Sequence, residues 1–480
     1  MTAVLRDLSD IRRHFLLDPR PLYFVSATNF NLLGIDEWVS RFTAITYIDC
    51  FGGRHPNVFV PPELPHDVFE SIEDINNYLL VHPAVIDRIA RAPGRAVFLM
   101  FDDRTEELCR DRELEVMLPS AKLRTEIDDK ISCTRIADRA GVESVPNVLA
   151  PVRSYDDLRR VSRELGESLV VQTSFGDSGH TTFFIANEAD YAAHADEIQA
   201  EPEVKIMRRI RCRGSAMEAC VTRHGTIVGP LMTELVGFPE LTPYQGGWCG
   251  NELYPGAFPE SVQRDARQAA FRFGEEIRRM GYRGYFELDF LIDRDSGKVY
   301  LGEINPRITG ASAMTNLSSL AHADAPLFLF HLLEWGDTEY ELDVDALDRR
   351  WADEANLDTW GQLVIKHTAT GPGAIDRVQR APESGIWRLD AGGGVSFVRP
   401  DIHRRGARGR DEGFFMRITG PGDYRYAGAD LGILMAPTKL MDNGELTDRA
   451  RAWIDGLRGE YLGVPPLAPA PIEPGPFKIF

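Results

Sequence analysis

No stretch of this chain is apolar over the roughly 18–20 residues that a bilayer-spanning helix needs. The first residues, MTAVLRDLSDIRRHF, alternate charge and apolarity and lack the apolar core of a secretion signal. A cytoplasmic protein with no membrane partner is the expectation. Positive charge is also short: 54 Lys and Arg stand against 73 Asp and Glu, a net charge of −19. Such a surface repels a phosphate backbone. That disfavours general nucleic-acid binding and leaves room for a local basic pocket. The six cysteines are Cys50, Cys109, Cys133, Cys212, Cys220 and Cys249. None form a CxxC pair and no Cys/His cluster has zinc spacing, so reduced thiols follow. Cys220 lies in an apolar stretch and reads as simply buried. Neither GxGxxG nor GxxxxGK(S/T) occurs, so the dinucleotide fingerprint and the strand-to-helix phosphate loop are both missing. There is no internal repeat.

What is present is the composition of a folded protein, with 43% hydrophobic and 26% charged residues. At roughly 150 residues per domain, 480 residues suggest about three units. PLYFVSATNFNLLGIDEWVSRFTAITYIDC (21–50) reads as strand, loop, helix, strand, with Asn29 or Asn31 able to cap the helix. AVIDRIAR (84–91) reads as a helix and AVFLMFDD (96–103) as a short buried strand. This alternation predicts an open α/β domain over 1–120. Residues 121–142 read as one helix closed by Gly141. Strands follow in SLVVQTSF and TTFFIA, and MEACVTRHGTIVG reads as a hairpin turning at His224-Gly225. A long helix covers 262–281, and LAHADAPLFLFHLLEWG (320–336) reads as another. From about 340 the chain becomes glycine-rich with short β-like runs, which predicts a small, separate, mostly β unit over 339–463. A proline-rich tail, 464–480, ends it.

The most informative stretch is YFELDFLIDRDSGKVYLGEINPR (285–307). Strand side chains alternate faces, so Glu287 and Asp289 share one face, with Phe286, Leu288 and Phe290 on the other. Glu303 and Asn305 share a face of the partner strand. A hairpin brings Asp289 beside Glu303, with Asn305 just beyond. Two carboxylates and an amide oxygen form a hard, oxygen-only set that suits Mg²⁺. The plainer reading is a solvated acidic hairpin. VVQTSFGDSGHTTFF (170–184) runs from a β-segment through small residues into a second β-segment. Gly176, Ser178 and Gly179 let backbone N–H groups approach an anion closely, although small-residue hairpin loops are common. Lys130, in EIDDKISC, would by itself read as a surface charge.

Taken in order, these residues resemble an ATP-grasp enzyme: DK-helix-GV-x-x-VP, a strand with a glycine-rich loop, a long helix, then the acid hairpin ending EINPR. The resemblance spans about 120 to 335. EINPRITGASAMTN is especially similar to a segment of carbamoyl-phosphate synthetase, and more distantly to biotin carboxylase. The implied architecture is an N-terminal open α/β domain, an ATP-grasp module over 121–338 with a mobile lid at about 150–225, and the β unit. The implied cofactors are ATP and Mg²⁺. Lys130 matches the first phosphate-contacting lysine. Gln172, Ser174, Gly176, Ser178 and Gly179 match the strand and loop over the β- and γ-phosphates. Met207, Arg208 and Ile210 match the hinge that contacts adenine. Glu218 matches a strand position where a polar residue often faces the nucleotide. Asp289, Glu303 and Asn305 match the metal ligands, and Arg307 matches an arginine that holds the acyl phosphate or its developing charge. One departure stands out: the strand before the loop usually carries a second phosphate-binding lysine, and here Gln172 supplies no charge. Arg208, Arg209 or another cation compensates, or nucleotide binding is weaker.

The resemblance implies a carbon–nitrogen ligase that makes an acyl phosphate, releases ADP and phosphate, and couples the acid to an amine. Small-molecule carboxylates and amines, an amino acid or peptide among them, are the implied partners. Related proteins are often dimers, which leaves a homodimer open. Biotin carboxylase itself fits poorly, because RITGASAMTN lacks its glutamate base and no biotin-bearing domain follows. Carbamoyl-phosphate synthetase carries two such modules; this chain has one. An enzyme using another acceptor or bicarbonate, and a nucleotide-binding protein without turnover, are the alternatives. On the β unit, Lys366 and His367 form one substrate-side candidate set, Lys366 as a catalytic candidate. His403, Arg404 and Arg405 form the other. Both sets also read as ordinary surface residues. PYQGGWCGNELYPG (243–256) reads as a long loop that either shapes specificity or simply packs.

Overall fold

The computed structural model describes residues 4–176, 181–244, 246–370 and 375–466. Its N-terminal sheet has five parallel strands in the order Val58–Phe59, Phe42–Thr46, Leu22–Ser26, Arg95–Phe98, Glu115–Val116. The central strand is buried at every position. Leu22 and Phe24 enter one core with Ile11 and Phe15, while Tyr23 and Val25 enter another with Ile75 and Leu79. A strand covered on both faces has no polar side, which is why LYFVS does not alternate.

The segment after this strand is not the expected helix. It forms two 3-10 turns, Phe30–Leu32 and Ile35–Glu37, divided by Gly34 at φ +87. Asn29 makes no side-chain cap, and Asn31 instead donates Nδ2 to the Thr309 carbonyl at 2.8 Å. The helix expected over 121–142 is also broken, into Ala121–Asp128 and Lys130–Ala140. Asp129 leaves the helical conformation and caps the second piece by accepting from the Ser132 amide at 2.6 Å. Gly141 closes that piece in the left-handed conformation. Pro326 breaks the 320–336 segment into Ser319–Ala323 and Leu327–Trp335, because it has no N–H to continue the first helix.

Residues 147–208 build a four-stranded antiparallel sheet in the order Asn147–Ala150, Val204–Arg208, Leu169–Gln172, Thr182–Ile185. Its inner face packs a core of its own, including Val171, Ile185, Val204 and Ile206. The strand Cys212–Thr222 does not belong to it. That strand pairs along its length with Gly284–Asp293, so the unit is shorter than 150–225. Cys212–Thr222 and Gly225–Val236 form the expected hairpin, closing at Thr222 and Gly225.

The largest sheet has ten strands and runs from Val299–Asn305 through the hairpins to Val395–Pro400. The C-terminal β-segments are therefore not a separate unit. Trp248–Leu253, inside the stretch read as a loop, is a strand that pairs with Trp360–Lys366. This junction carries the ladder without a break into the last part of the chain. All six cysteines are free, and Cys220 is fully buried. No helix among the described residues is long and apolar enough to cross a membrane.

His331 joins the N-terminal unit to the large sheet. The Tyr285 amide donates to its Nδ1 at 2.9 Å, so Nε2 carries the proton and donates to the Met117 carbonyl at 2.7 Å. Gly284 makes room for the ring: a Cβ there would lie 2.4 Å from Nδ1. Burial lowers the His331 pKa from 6.5 to about 4. Between those values the unfolded chain binds the extra proton, so this group's stabilisation is complete above pH 6.5 and is lost as pH falls toward 4. The stability gap between the parent and His331→Gln is expected to narrow by roughly 3 kcal/mol from pH 7 to pH 4. Urea midpoints at each pH measure it; a constant gap would overturn the assignment.

Candidate functional site

The hairpin of Gly284–Asp293 and Val299–Asn305 sets the site. Phe286, Leu288 and Phe290 are fully buried against the helix Glu260–Arg279. Alternation then places the acids on the other face. Asp289 is the direct partner of Glu303, and Glu287 of Asn305. Glu218, one strand further in, is the partner of Glu287. Glu234, on Gly225–Val236, completes the group from the far side of Gly214, where a Cβ would lie 3.0 Å from Glu234 Oε2.

Burial is the largest cause of the raised carboxyl pKa values here, and the neighbouring acids add to it. Asp289 stands well above its usual range through burial and then Glu234, Glu287 and Glu303. Glu287 is raised by burial and by Glu218. Glu234 is raised to about 7 by burial and by Glu303. Such a group holds protons or gathers positive charge. Asp289 Oδ1 is buried and has no hydrogen-bond partner among the described residues. Among the described residues no set of three or more His, Cys, Asp or Glu is arranged to hold a metal ion; the candidate set has two such residues and an amide. Its oxygen-only chemistry and the orphaned Oδ1 fit a hard divalent cation that keeps water or phosphate as further ligands.

Asn305 and Lys130 bring donors to Asp289 and Glu303, and Arg307 holds Asn305 in turn. Asn305 Nδ2 donates to Asp289 Oδ2 at 3.1 Å, and Arg307 Nη2 donates to Asn305 Oδ1 at 2.8 Å. Arg307 Nε is buried without a partner. Lys130 Nζ lies 3.0 Å from Glu303 Oε2 and donates to the Gly176 carbonyl at 2.7 Å. Burial alone would lower the Lys130 pKa, but the Glu303 charge and hydrogen bond outweigh it and hold the lysine above its ordinary value. The helix break at Asp129 makes this possible: it starts a new helix at Lys130, whose amide also donates to the Ser174 carbonyl at 2.9 Å.

The four-stranded sheet faces this hairpin with a small apolar cluster. Met207, Ile210 and Val170 meet Leu291, Tyr300 and Val145 there. Arg208 is exposed, and its amide donates to the Pro146 carbonyl. Gln172 Nε2 donates to Thr182 Oγ1 at 3.1 Å. Ser178 and Gly179 lie outside the described residues.

Other candidates sit elsewhere. Glu218 is 0% exposed, shut in by the short helix Ser312–Asn316. Its carboxylate accepts from Ser312 Oγ at 2.7 Å and Thr315 Oγ1 at 2.5 Å, so it does not face an open cleft. Lys366 is buried and ion-paired with Asp430, and Arg458 donates to its carbonyl. The His367 amide bonds the Ala429 carbonyl. His403 and Arg405 both meet the Glu37 carboxylate, at 2.7 and 3.0 Å, and so tie the end of the chain to its beginning. Arg404 is buried over the Trp360 ring. Two residues near the acids were missed in the sequence, Glu234 and Lys205. Each is a lone charge in an otherwise apolar strand, in MTELV and EVKIM, and that was the available signal.

No protein-family model matches this chain. It is 22% identical over 228 residues to a D-alanine–D-alanine ligase from Treponema denticola, a match covering 45% of this chain and 61% of that one. It is 24% identical over 216 residues to a [butirosin acyl-carrier protein]–L-glutamate ligase from Niallia circulans, covering 44% and 50%. The matched stretches thus span about half to three fifths of these relatives. In three dimensions the biotin carboxylase of Campylobacter jejuni, solved as a β,γ-ATP complex, superposes with a TM-score of 0.60 at 13% identity over 92% of each chain. These are ATP-grasp proteins, and the chain has their fold.

Proposed function

With the ATP-grasp fold as the starting point, we propose that this protein is an ADP-forming carbon–nitrogen ligase that uses ATP to join a small carboxylic acid to an amine. The observation that carries the reading is Asp289 and Glu303 paired across the hairpin, with an orphaned Asp289 oxygen, beside Lys130 and Arg307. Asp289, Glu303 and Asn305 would hold Mg²⁺, which neutralises phosphate charge when bound. Lys130 would meet the phosphates, beside the backbone at Ser174 and Gly176 that it already bonds. Met207, Ile210 and Tyr300 would line the base. The acid's carboxylate attacks the γ-phosphorus, giving an acyl phosphate and ADP. The amine then attacks the acyl carbon, and phosphate leaves with the bonding electrons. Arg307 has a donor free to meet the charge on the acyl oxygen. Closure of the sheet at 147–208 would keep water from the acyl phosphate.

The ligases that resemble this chain in sequence support the amine acceptor. The full-length superposition on a biotin carboxylase favours a second reading, in which bicarbonate is the acid activated. One assay separates them. The protein is given Mg-ATP and hydroxylamine, with pools of carboxylic acids or with bicarbonate alone. ADP, phosphate and a hydroxamate that depends on one acid is the expected result. Turnover with bicarbonate alone would replace it by the second reading, and AMP with pyrophosphate would overturn both.

A further inference from the structure

Lys205 is a buried lysine with almost nothing to bind. It is 1% exposed, and its one hydrogen bond, to the Gly302 carbonyl, is long at 3.4 Å. Among the described residues no carboxylate lies within ion-pairing distance of its Nζ; the acid that bears on it, Glu303, does so from further away. Lysines are seldom buried without a counter-ion, because the charge loses its water and gains little in return. Burial lowers its pKa, and the Glu303 charge only partly opposes that.

Its direction follows from register. Lys205 is the direct cross-strand partner of Gln172, so the two side chains leave the same face of the four-stranded sheet. The neighbours Val204 and Ile206 point the other way, into that sheet's own core. Lys205 therefore leaves the core and runs toward the acid hairpin, where Gly302 immediately precedes Glu303. Lys130 reaches the same glutamate from the helix side. Gln172 offers a neutral amide, and Lys205 stands one strand over with an amine able to carry a positive charge.

We propose that Lys205 supplies a second phosphate-facing positive charge of this site, from the strand beside the one that carries Gln172. An ammonium with two unused N–H groups, set beside a hairpin suited to a divalent cation, matches the oxygens of a polyphosphate. The glutamine at 172 is then no sign of decay, because the charge is present at a neighbouring register position. This rests on the nucleotide reading above, and the test separates the two.

Mg-ATP and adenosine affinities are measured by calorimetry on the full chain, with melting temperatures of the ligand-free proteins. The parent, Lys205→Met and the double variant Lys205→Met with Gln172→Lys are compared. Lys205→Met is expected to weaken Mg-ATP roughly 10–100-fold, the range for one charge-assisted contact. Adenosine affinity should stay unchanged, and the ligand-free melting temperature should hold or rise. Gln172→Lys should restore most of the lost Mg-ATP affinity. Unchanged Mg-ATP affinity in Lys205→Met overturns the proposal. So does an equal loss for adenosine with a lower melting temperature, which is the mark of a structural lysine. If Lys205→Met does not fold, Lys205→Gln decides by the same comparison. A parent that does not bind Mg-ATP overturns the nucleotide reading, and this proposal with it.

Discussion

Asp289→Asn is expected to melt higher than the parent without metal and to lose phosphate release from Mg-ATP. The two effects have one cause. Asp289 is crowded by Glu234, Glu287 and Glu303, and its Oδ1 is buried with no donor. Removing one of several facing carboxyls relieves repulsion and leaves an amide that can hydrogen-bond to its neighbours. A gain of about 1–2 kcal/mol is reasonable for a group of this kind, and in a protein of this size it raises the melting temperature by about one or two degrees. The same change removes an anionic ligand from the proposed cation site. The charge stabilisation a metal supplies is several kcal/mol, so phosphate release should fall about 10²–10⁴-fold. Calorimetric melts in chelator and initial rates over a magnesium series measure the pair. A lower melting temperature would show that Asp289 stabilises the empty fold, and unchanged rates would remove it from the metal set.

Arg307→Met should act differently. Its Nη2 already serves Asn305, while Nε is buried and unspent. A donor held ready but unsatisfied suits charge that appears only during reaction. The expected loss in kcat is about 10²–10³-fold, typical of removing one donor to a developing oxyanion. The KM for ATP should change little. Arg307→Lys should recover only part of the rate, because an ammonium does not reproduce the planar fork. Steady-state rates at saturating acid and amine decide the matter. A raised KM for ATP with kcat intact would make Arg307 a nucleotide anchor instead.

The acid hairpin was legible because strand alternation is strictly periodic. Given two strands and a tight turn, the residues alone bring Asp289 close to Glu303. Their direct pairing also needs the register shift that the hairpin takes between Asp289 and Phe290, which the residues alone do not announce. The glycine stop at Gly141 was legible for a similar reason: its cause is local. Glu234 was not, since its strand reaches the acids only through a third strand between them. Lys205 was hidden in the same way, because its place beside Gln172 depends on the pairing of two strands distant in sequence. The break at Asp129 looked helical by composition, and the Ser132 amide it caps is visible only once the chain has turned. Pro326, by contrast, was a local signal that the hydrophobic run around it obscured. The glycines of 243–256 suggested a loop, yet Trp248–Leu253 is held as a strand by partners from distant parts of the chain on either side.

That last strand decides how the molecule can be cut. Trp248–Leu253 is hydrogen-bonded on one side to Gly225–Val236 and on the other to Trp360–Lys366. A shortened protein ending near residue 338 would keep the first partner and lose the second. Its raw edge would offer unpaired N–H and C=O groups to any other strand, including its own copies. The remaining fragment would begin with an equally bare edge. The half that carries the acid hairpin and the C-terminal half thus share one ladder, and neither can be prepared alone as a well-behaved piece.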